Sequence, residues 1–274
     1  LCAATQNNLS ILAGRGFQLM TPDSGQLACD TTGIGRLPEP AAIVERIAEQ
    51  FNQAKSLQGV RLLVTAGGTR EAIDPVRYIG NRSSGKMGYA IAAAAAERGA
   101  EVTLVSGPVA LAAPAGVTRI SVESALEMRE AVMSAFSAVD VVVKAAAVAD
   151  YRPETVAEQK IKKQSSNMTV NLVKNPDILA ELGSLKQVQF LVGFAAETQD
   201  LATNATEKLR RKNLDMLVAN DVTLPGAGFE SETNIVKLFY QDGSMEELPQ
   251  MSKRQLAGIL LDRIQQRWRE LNGR

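Results

Sequence analysis

Histidine does not occur in this chain of 274 residues. Its absence excludes Ser–His–Asp triads, histidine metal sites and histidine general bases, so any acid–base step must use carboxylates, lysines, tyrosines or the substrates themselves. Cysteine is nearly absent: Cys2 and Cys29 are the two cysteines, and no CxxC pair occurs. These counts exclude a disulfide framework and a cysteine zinc site, and they favour a reducing, cytoplasmic compartment.

The chain also lacks a net charge and a long apolar run. Lys and Arg together number 30, as do Asp and Glu, whereas general nucleic-acid or membrane-surface binders usually have a basic excess. No apolar run approaches the roughly 18 residues of a membrane span, and no signal peptide is visible. We therefore expect neither a nucleic-acid partner nor a membrane partner. The first residue is Leu rather than Met, which indicates a piece of a longer chain.

Two regions of different character follow one another along the chain. Residues 1–52 hold a few short elements and end in a helical pattern, which is too little to close a core. From Val60 onward, apolar strands alternate with helical segments, which indicates a mainly parallel sheet covered on both faces. We predict an α/β fold for residues 58–274: a Rossmann-like, doubly wound sheet with helices on both faces and an antiparallel hairpin extension turning at Asp242 and Gly243.

A nucleotide or polyphosphate site is predicted from residues 144–163. This stretch begins at the end of an apolar strand, passes through small residues to Asp150, and ends in the lysines Lys160, Lys162 and Lys163. Small residues at the carboxyl end of a strand let a ligand approach the backbone, and in open α/β sheets ligands bind at that edge. A solvated run of lysines is the alternative interpretation.

Two further segments could bind an anion. The turn TAGGT follows a buried strand, and the segment SSG begins an alanine-rich helix whose free N–H groups suit an anion. The candidate residues are Gly67, Gly68, Ser83, Ser84 and Gly85. An ordinary tight turn and a well-capped helix are the alternatives. A P-loop is excluded because Met87 stands where the pattern GxxxxGK[ST] requires a hydroxyl for magnesium.

Other candidates carry less specific signals. Arg77 could orient a carboxylate or phosphate, and Asn81 could hold an oxyanion, but both also suit a solvated loop. Lys208 and Lys212 lie four residues apart on one helix face and could meet a polyphosphate or water. Phe194 ends a strand and could stack on a base or pack in the core.

Seven segments identify a family resemblance. They are TAGGTREAIDPVRYIGNRSSGKMG, AAAVADYRP, KIKK, VKNPDIL, VGFAAET, RKNLD and ANDV, in order over residues 60–223. Together they resemble the phosphopantothenoylcysteine synthetase (phosphopantothenate–cysteine ligase) part of the bifunctional coenzyme A biosynthesis proteins of bacteria. The similarity continues through the FYQDG hairpin and the closing helix. We therefore expect residues 58–274 to form the ligase domain.

Residues 3–40 resemble the end of the flavin-dependent decarboxylase half of the same proteins, so residues 1–52 are expected to be a remnant of that domain plus a linker helix. Cys29 would match the catalytic flap cysteine. Asp30 stands where that family usually has glycine, and most of the flavin domain is missing. Decarboxylation and bound FMN are therefore not expected for this chain.

The resemblance implies a two-step ligation in coenzyme A biosynthesis. The carboxylate of 4'-phosphopantothenate attacks the α-phosphate of CTP, which gives an acyl-cytidylate and pyrophosphate. The amine of L-cysteine then displaces CMP and forms the amide. This chemistry depends on positioning and charge neutralisation, so it needs no histidine. The use of CTP rather than ATP rests on the resemblance alone.

The resemblance also implies roles for individual residues. Asn81 would hold the acyl-cytidylate, Arg77 would help place the acyl substrate, and Lys160 would neutralise the phosphoanhydride. The CTP-binding residues would be Ala145, Ala146, Ala147, Asp150, Lys160, Pro176, Asp177, Ile178, Leu179, Phe194, Lys208 and Lys212. Mg²⁺ would bridge triphosphate oxygens, and its protein ligands stay unassigned. A homodimer is expected, with further association of the full-length protein through the decarboxylase half.

Two other functions stay open on the residues alone. An NAD(P)-dependent oxidoreductase would use the same kind of sheet, but it needs GxGxxG or a tyrosine and a lysine four residues apart. Tyr151 has Thr155 at that position. A non-catalytic nucleotide-binding module is the second alternative.

Overall fold

The computed structural model describes residues 2–15, 17–26, 32–53, 55–162, 167–197, 201–221, 228 and 230–273. The chain divides into two compact units, Leu1–Ser56 and Leu57–Arg274. Three residues named above lie outside the described residues. They are Cys29 and Asp30, on which the resemblance to the decarboxylase half depends, and Lys163 of the lysine run.

In its described residues, the first unit has two helices and one small sheet. Its elements are α1 (Ala3–Gly14), β1 (Asp23–Gln26), β2 (Thr32–Arg36) and α2 (Pro40–Gln53). The strands β1 and β2 pair antiparallel. The described side chains of this unit are mostly exposed, as expected for elements too few to bury a core of their own.

The second unit alternates strands and helices along the chain. Its elements are β3 (Arg61–Ala66), β4 (Arg70–Ala72), β5 (Tyr78–Gly80), α3 (Lys86–Glu97), β6 (Glu101–Ser106), β7 (Val117–Ser121), α4 (Ala125–Phe136), β8 (Val141–Lys144), β9 (Tyr151–Pro153), β10 (Leu172–Lys174), α5 (Ile178–Leu185), β11 (Phe190–Glu197), α6 (Leu201–Arg211), β12 (Met216–Asp221), β13 (Thr233–Tyr240), β14 (Met245–Ser252) and α7 (Lys253–Asn272).

Eight of the described strands form the central sheet, in the order β14-β13-β12-β11-β8-β3-β6-β7. The strands from β12 to β7 run parallel, while β13 and β14 add an antiparallel hairpin at one edge. This confirms the predicted Rossmann-like fold and its hairpin extension. The chain runs outward from β3 to β7 and then returns to β8 beside β3. The carboxyl ends of β3 and β8 therefore form a switch point, where ligands bind in such sheets.

Both faces of the central strands are buried. In β3, Leu62 and Val64 pack on the face covered by α3 and α7. Leu63, between them, packs on the other face with residues of α4, α5 and α6. Burial on both faces explains why these strands read as continuous apolar runs in the sequence. Backbone groups of the inner strands therefore become accessible only where the strands end.

Side-chain caps mark the beginnings of α4 and α7. Ser124 precedes α4, and its side chain accepts a hydrogen bond from the amide of Glu127. Ser252 and Gln255 form a reciprocal capping box at the start of α7, which satisfies two of the otherwise unpaired N–H groups of that helix. Across the described residues, no helix has the length and apolar character needed to cross a membrane.

Glycine at residue 183 allows α5 to pack against the chain segment that follows α6. A Cβ atom there would lie 2.0 Å from the carbonyl oxygen of Lys212. We expect Gly183→Ala to lower the free energy of unfolding by about 1–3 kcal/mol, because backbone must move to relieve the overlap. Urea denaturation of both forms measures this change.

Gly258→Ala, in α7, is the matched control. Its Cβ would meet only the flexible Arg98 guanidinium, at 3.6 Å. The same substitution should there raise the free energy of unfolding by up to about 1 kcal/mol, because alanine favours a helix. Equal effects of the two variants would contradict the close approach at Gly183.

Candidate functional site

The loops that follow β3 and β8 are joined to each other. The amide of Ala147 donates to the carbonyl oxygen of Gly67 at 2.8 Å, and Gly68 forms a parallel bridge with Ala147. The amide of Ala149 donates to Oγ1 of Thr69 at 2.9 Å. The two loops predicted to contact a ligand therefore form one surface at the switch point.

Asn81 lies against both loops. Its Nδ2 atom donates to the carbonyl oxygen of Val148 at 3.0 Å. Its own carbonyl oxygen would lie 2.6 Å from a Cβ atom at Gly68, so only glycine fits there without a shift of backbone. Asn81 is exposed, and a ligand on this surface can therefore reach its side chain.

The N-terminus of α3 reaches the same surface. Gly85, which has a positive φ of 74°, lies so close to Gly67 that an added Cβ would be 3.4 Å from the Gly67 nitrogen. The amide of Gly85 donates to Oγ of Ser83 at 3.3 Å, and Ser84 is half-buried between them in the chain. The predicted anion-binding residues thus come together at a helix N-terminus, whose N–H groups and dipole favour negative charge.

Lys144, the first residue of the predicted stretch 144–163, is a buried lysine for which the sequence predicted no individual role. It is the last residue of β8 and directly precedes Ala145; it is only 7% exposed. Burial lowers the pKa of Lys144 to about 8, with the charge of Asp177 opposing this shift and that of Lys212 adding to it. The sequence did carry a signal for Lys144, because this lysine ends an otherwise apolar strand.

Asp177 and Lys212 form an ion pair within electrostatic reach of Lys144. Asp177 caps α5, accepting from the amide of Ala180 at 3.1 Å, and its Oδ2 lies 2.9 Å from Nζ of Lys212. Burial by itself raises the pKa of Asp177, but the hydrogen bonds from Lys212 and Ala180 hold this pKa below its ordinary value. The carboxylate therefore stays ionised beside two lysines.

The other predicted nucleotide contacts differ in burial. Ile178 and Leu179 are buried in the core on the α4–α6 face, whereas Phe194 is half-buried and packs against the core on the α3–α7 face. Asp150 is exposed, and Ala145, Ala146, Ala147, Pro176 and Lys208 are half-buried. The structure thus supports a packing role for Phe194 and leaves its contact with a base as a prediction.

The segment that carries Lys160 is bound to the turn that carries Arg77. The Arg77 side chain donates to Asp74 through Nε at 3.0 Å and to the carbonyl oxygen of Ile161 through Nη2 at 3.0 Å. Lys160 and Lys162 are exposed on either side of Ile161. Arg77, predicted to place the acyl substrate, is therefore engaged with protein groups in this structure.

Within the described ranges, no group of three or more Asp, Glu or Cys side chains is placed to hold a metal ion. The oxygen-rich cage that a protein-held Mg²⁺ or Ca²⁺ requires is thus missing from the part of the chain that the structure describes.

Comparison with known proteins identifies the family. Residues 57–267 match the model of the family described as DNA/pantothenate metabolism flavoprotein C-terminal domain. The chain belongs to this family. Among its relatives is the coenzyme A biosynthesis bifunctional protein CoaBC of Bacillus subtilis (strain 168), which is 51% identical over 264 residues, 95% of this chain and 65% of that protein. The CoaBC protein of Escherichia coli (strain K12) is 50% identical over 276 residues, 99% of this chain and 68% of that protein.

The chain thus spans about two thirds of the length of these family members. A solved structure of the C-terminal domain of a CoaBC protein has 48% sequence identity and a TM-score of 0.67. It covers 77% of this chain and 97% of that domain. The family's fold is therefore the fold of residues 57–274.

Lys144→Met should stabilise the folded protein in a pH-dependent manner. Because the pKa of Lys144 is lower in the folded chain than in the unfolded chain, protonation of this lysine opposes folding. The penalty is complete below about pH 8 and disappears as the pH rises toward the ordinary lysine pKa near 10.5. We expect a gain of up to about 3 kcal/mol at about pH 7 that shrinks at about pH 10, measured by urea denaturation.

Lys237→Met is the control for that measurement. Lys237 lies on β13 with a partly exposed side chain paired with Glu247, and such surface pairs contribute less than about 1 kcal/mol. Its stability change should be small at both pH values. A gain for Lys144→Met that grows with pH would contradict the burial of a cation at the end of β8.

Proposed function

We propose that residues 57–274 form a phosphopantothenate–cysteine ligase that joins 4'-phosphopantothenate and L-cysteine at the expense of CTP. The observation that carries the proposal is the joined surface of the β3 and β8 loops, with Asn81 across it and the N-terminus of α3 beside it. Such a surface suits a phosphate that approaches backbone closely. The family's relatives carry names that place them in coenzyme A biosynthesis.

The first half-reaction forms an acyl-cytidylate. A carboxylate oxygen of 4'-phosphopantothenate attacks the α-phosphorus of CTP, the bond from that phosphorus to the bridging oxygen breaks, and pyrophosphate leaves. Gly67, Gly68 and the alanines 145–147 leave room for the α-phosphate at the backbone. In this proposal Arg77 helps place the acyl substrate through Nη1, because its bonds to Asp74 and Ile161 use Nε and Nη2 and Nη1 carries two further N–H donors.

The triphosphate needs cationic partners, and lysines at the end of β8 and at the end of α6 can supply them. Lys144 and Lys212 lie near one carboxylate, Asp177, and Lys208 lies one helical turn before Lys212, so these residues have a positive surplus that suits phosphate oxygens. Burial of Lys144 and of part of Lys212 strengthens this attraction because fewer waters screen it. Mg²⁺, when bound with CTP, would neutralise part of the triphosphate charge.

The second half-reaction forms the amide. The amine of L-cysteine attacks the acyl carbon, the bond to the cytidylate oxygen breaks, and CMP leaves while the amine loses a proton to solvent. Lys160 neutralises the phosphoanhydride during this step. Asn81 uses one amide proton for Val148, and its second proton is available in this proposal for an oxygen of the intermediate.

We further propose that the protein is a cytoplasmic homodimer that contacts its partner through the segments outside the central sheet. The small sheets β4–β5 and β9–β10 carry the exposed apolar side chains Tyr78, Tyr151 and Leu172, which suit a protein interface more than water. Residues 1–52 would be the remnant of a decarboxylase half, which associates further in the full-length protein. No FMN is expected in this fragment.

Release of pyrophosphate tests the function directly. Incubation of the chain with CTP, Mg²⁺ and 4'-phosphopantothenate should release pyrophosphate, and addition of L-cysteine should release CMP and give the amide, each measured by mass spectrometry. ATP in place of CTP and omission of 4'-phosphopantothenate are the controls. A folded chain that releases no pyrophosphate would disprove the ligase, whereas oxidation of NAD(P)H would favour the oxidoreductase alternative.

Asn81→Asp should weaken retention of the acyl-cytidylate by roughly ten- to a hundredfold, because a carboxylate beside an anionic intermediate replaces a donor. The measurement is the amount of intermediate that stays with the protein during gel filtration when L-cysteine is omitted. Asn8→Asp, on the exposed surface of α1, adds the same charge elsewhere and should have no effect. Equal retention by the Asn81 variant would remove that residue from the site.

A further inference from the structure

Asp74 is a buried carboxylate in the turn between β4 and β5, and its side chain is 0% exposed. Its Oδ1 atom accepts from the amides of Val76 at 2.9 Å and Arg77 at 2.8 Å. These two bonds close the turn. They use one oxygen of the carboxylate, Oδ1, so Oδ2 can accept hydrogen bonds from other groups.

The second oxygen binds a distant part of the chain. Oδ2 of Asp74 accepts from the amide of Ile161 at 3.1 Å and from Nε of Arg77 at 3.0 Å. Arg77 in turn donates through Nη2 to the carbonyl oxygen of Ile161 at 3.0 Å. Both backbone polar groups of Ile161 are therefore bound by one ion pair, whose members lie 87 and 84 residues away from it in sequence.

A second contact holds the same segment. The amide of Ala157 donates to the carbonyl oxygen of Ile73 at 3.0 Å. Residues 154–162 form no helix or strand of their own, so their conformation depends on such contacts. Because Lys160 directly precedes Ile161, the position of its Cα is set by the bonds that the Asp74–Arg77 pair makes.

The charge of Asp74 is essential to this arrangement. All five of its hydrogen-bond partners are donors: three backbone amides and the Nε and Nη2 atoms of Arg77. The hydrogen bond from Arg77, with those from the amides, holds the pKa of Asp74 far below its usual range despite burial. An asparagine would bring an NH₂ group into a ring of donors and would lose at least one of these bonds.

We propose that Asp74 is a positioning residue that fixes the backbone at Ile161 and thereby presents Lys160 to the reacting phosphoanhydride. This inference rests on the proposed ligase function for its catalytic consequence. Asp74 does not touch a substrate in this proposal. It acts through the peptide groups on the carboxyl side of Lys160, and its loss releases that lysine without removing its charge.

Asp74→Asn tests the proposal in two ways. In the ligand-free protein, hydrogen exchange at the amides of Ala157 and Ile161 and tryptic cleavage after Lys160 should each become at least tenfold faster. In the reaction, amide formation at saturating L-cysteine should fall at least tenfold more than pyrophosphate release at saturating CTP, which itself falls because Arg77 loses its ion pair with Asp74. Lys160→Gln should show the same split between the half-reactions.

Asp242→Asn is the matched control. Asp242 also lies in a turn, accepts from a backbone amide, that of Ser244, and pairs with an arginine, Arg267, but it lies in the β13–β14 hairpin. This variant should leave exchange at Ile161 and both half-reactions unchanged. If it reproduces the effects of Asp74→Asn, general destabilisation explains them and the positioning role is wrong.

Ile161→Pro removes the donor of the hydrogen bond between Ile161 and Asp74, whereas Asp74→Asn changes its acceptor. Proline lacks the N–H that donates to Asp74, while the turn and the Asp74–Arg77 pair stay intact, so this variant answers the question even if Asp74→Asn does not fold. It should show the same selective loss of amide formation. Equal losses in both half-reactions, or unchanged exchange at Ala157, would overturn the proposal.

The two hypotheses fail in distinguishable ways. Hydrogen exchange and proteolysis need no substrate. They therefore report the hydrogen bonds that fix Ile161 whether or not the chain is a ligase. A wild-type chain that releases no pyrophosphate would disprove the proposed function. Pyrophosphate release by the wild type, together with full amide formation by Asp74→Asn, would instead disprove the positioning role alone.

Discussion

The pairing of β3 with β8 is the constraint on which the rest of the site depends. These strands are neighbours in the sheet, but the two central-sheet strands β6 and β7, which lead away from them, come between them in sequence. Their carboxyl ends therefore diverge into loops on a common edge. The hydrogen bond from Ala147 to Gly67 keeps those loops together. Because helices cover both faces of the strands, a ligand can meet the inner backbone only at this edge.

Most of this arrangement could be predicted from the sequence because it follows from local patterns. The apolar run ending in Lys144 and the glycines at 67 and 68 mark strand ends, and the topology of an alternating α/β chain then brings such ends to one edge. The hydrogen bond between Asn81 and Val148 could not be predicted from such local patterns. An asparagine in a loop carries no local signal of its own, and the resemblance of long motifs implied a contact of Asn81 with the intermediate rather than one with Val148.

Sequence patterns could not give the interactions that join distant segments through one side chain. Nothing in the spacing of Asp74 indicates that it binds Ile161 rather than water. The strands β4, β5, β9 and β10 have three residues each, which is too short for an alternating pattern to register. Burial of Lys144 was missed for a related reason: a lysine after an apolar run can point to solvent or into the sheet, and only the packing of α5 and α6 decides between them.

The buried lysine at the end of β8 also has a consequence for how stability and activity are related. A cation held out of water without full compensation raises the free energy of the empty folded state. An anionic ligand that binds near it relieves part of that cost, so the gain appears as affinity rather than as stability. Substitutions that make the empty protein more robust at this position would therefore act against ligand binding, as in other proteins whose binding sites are locally destabilised.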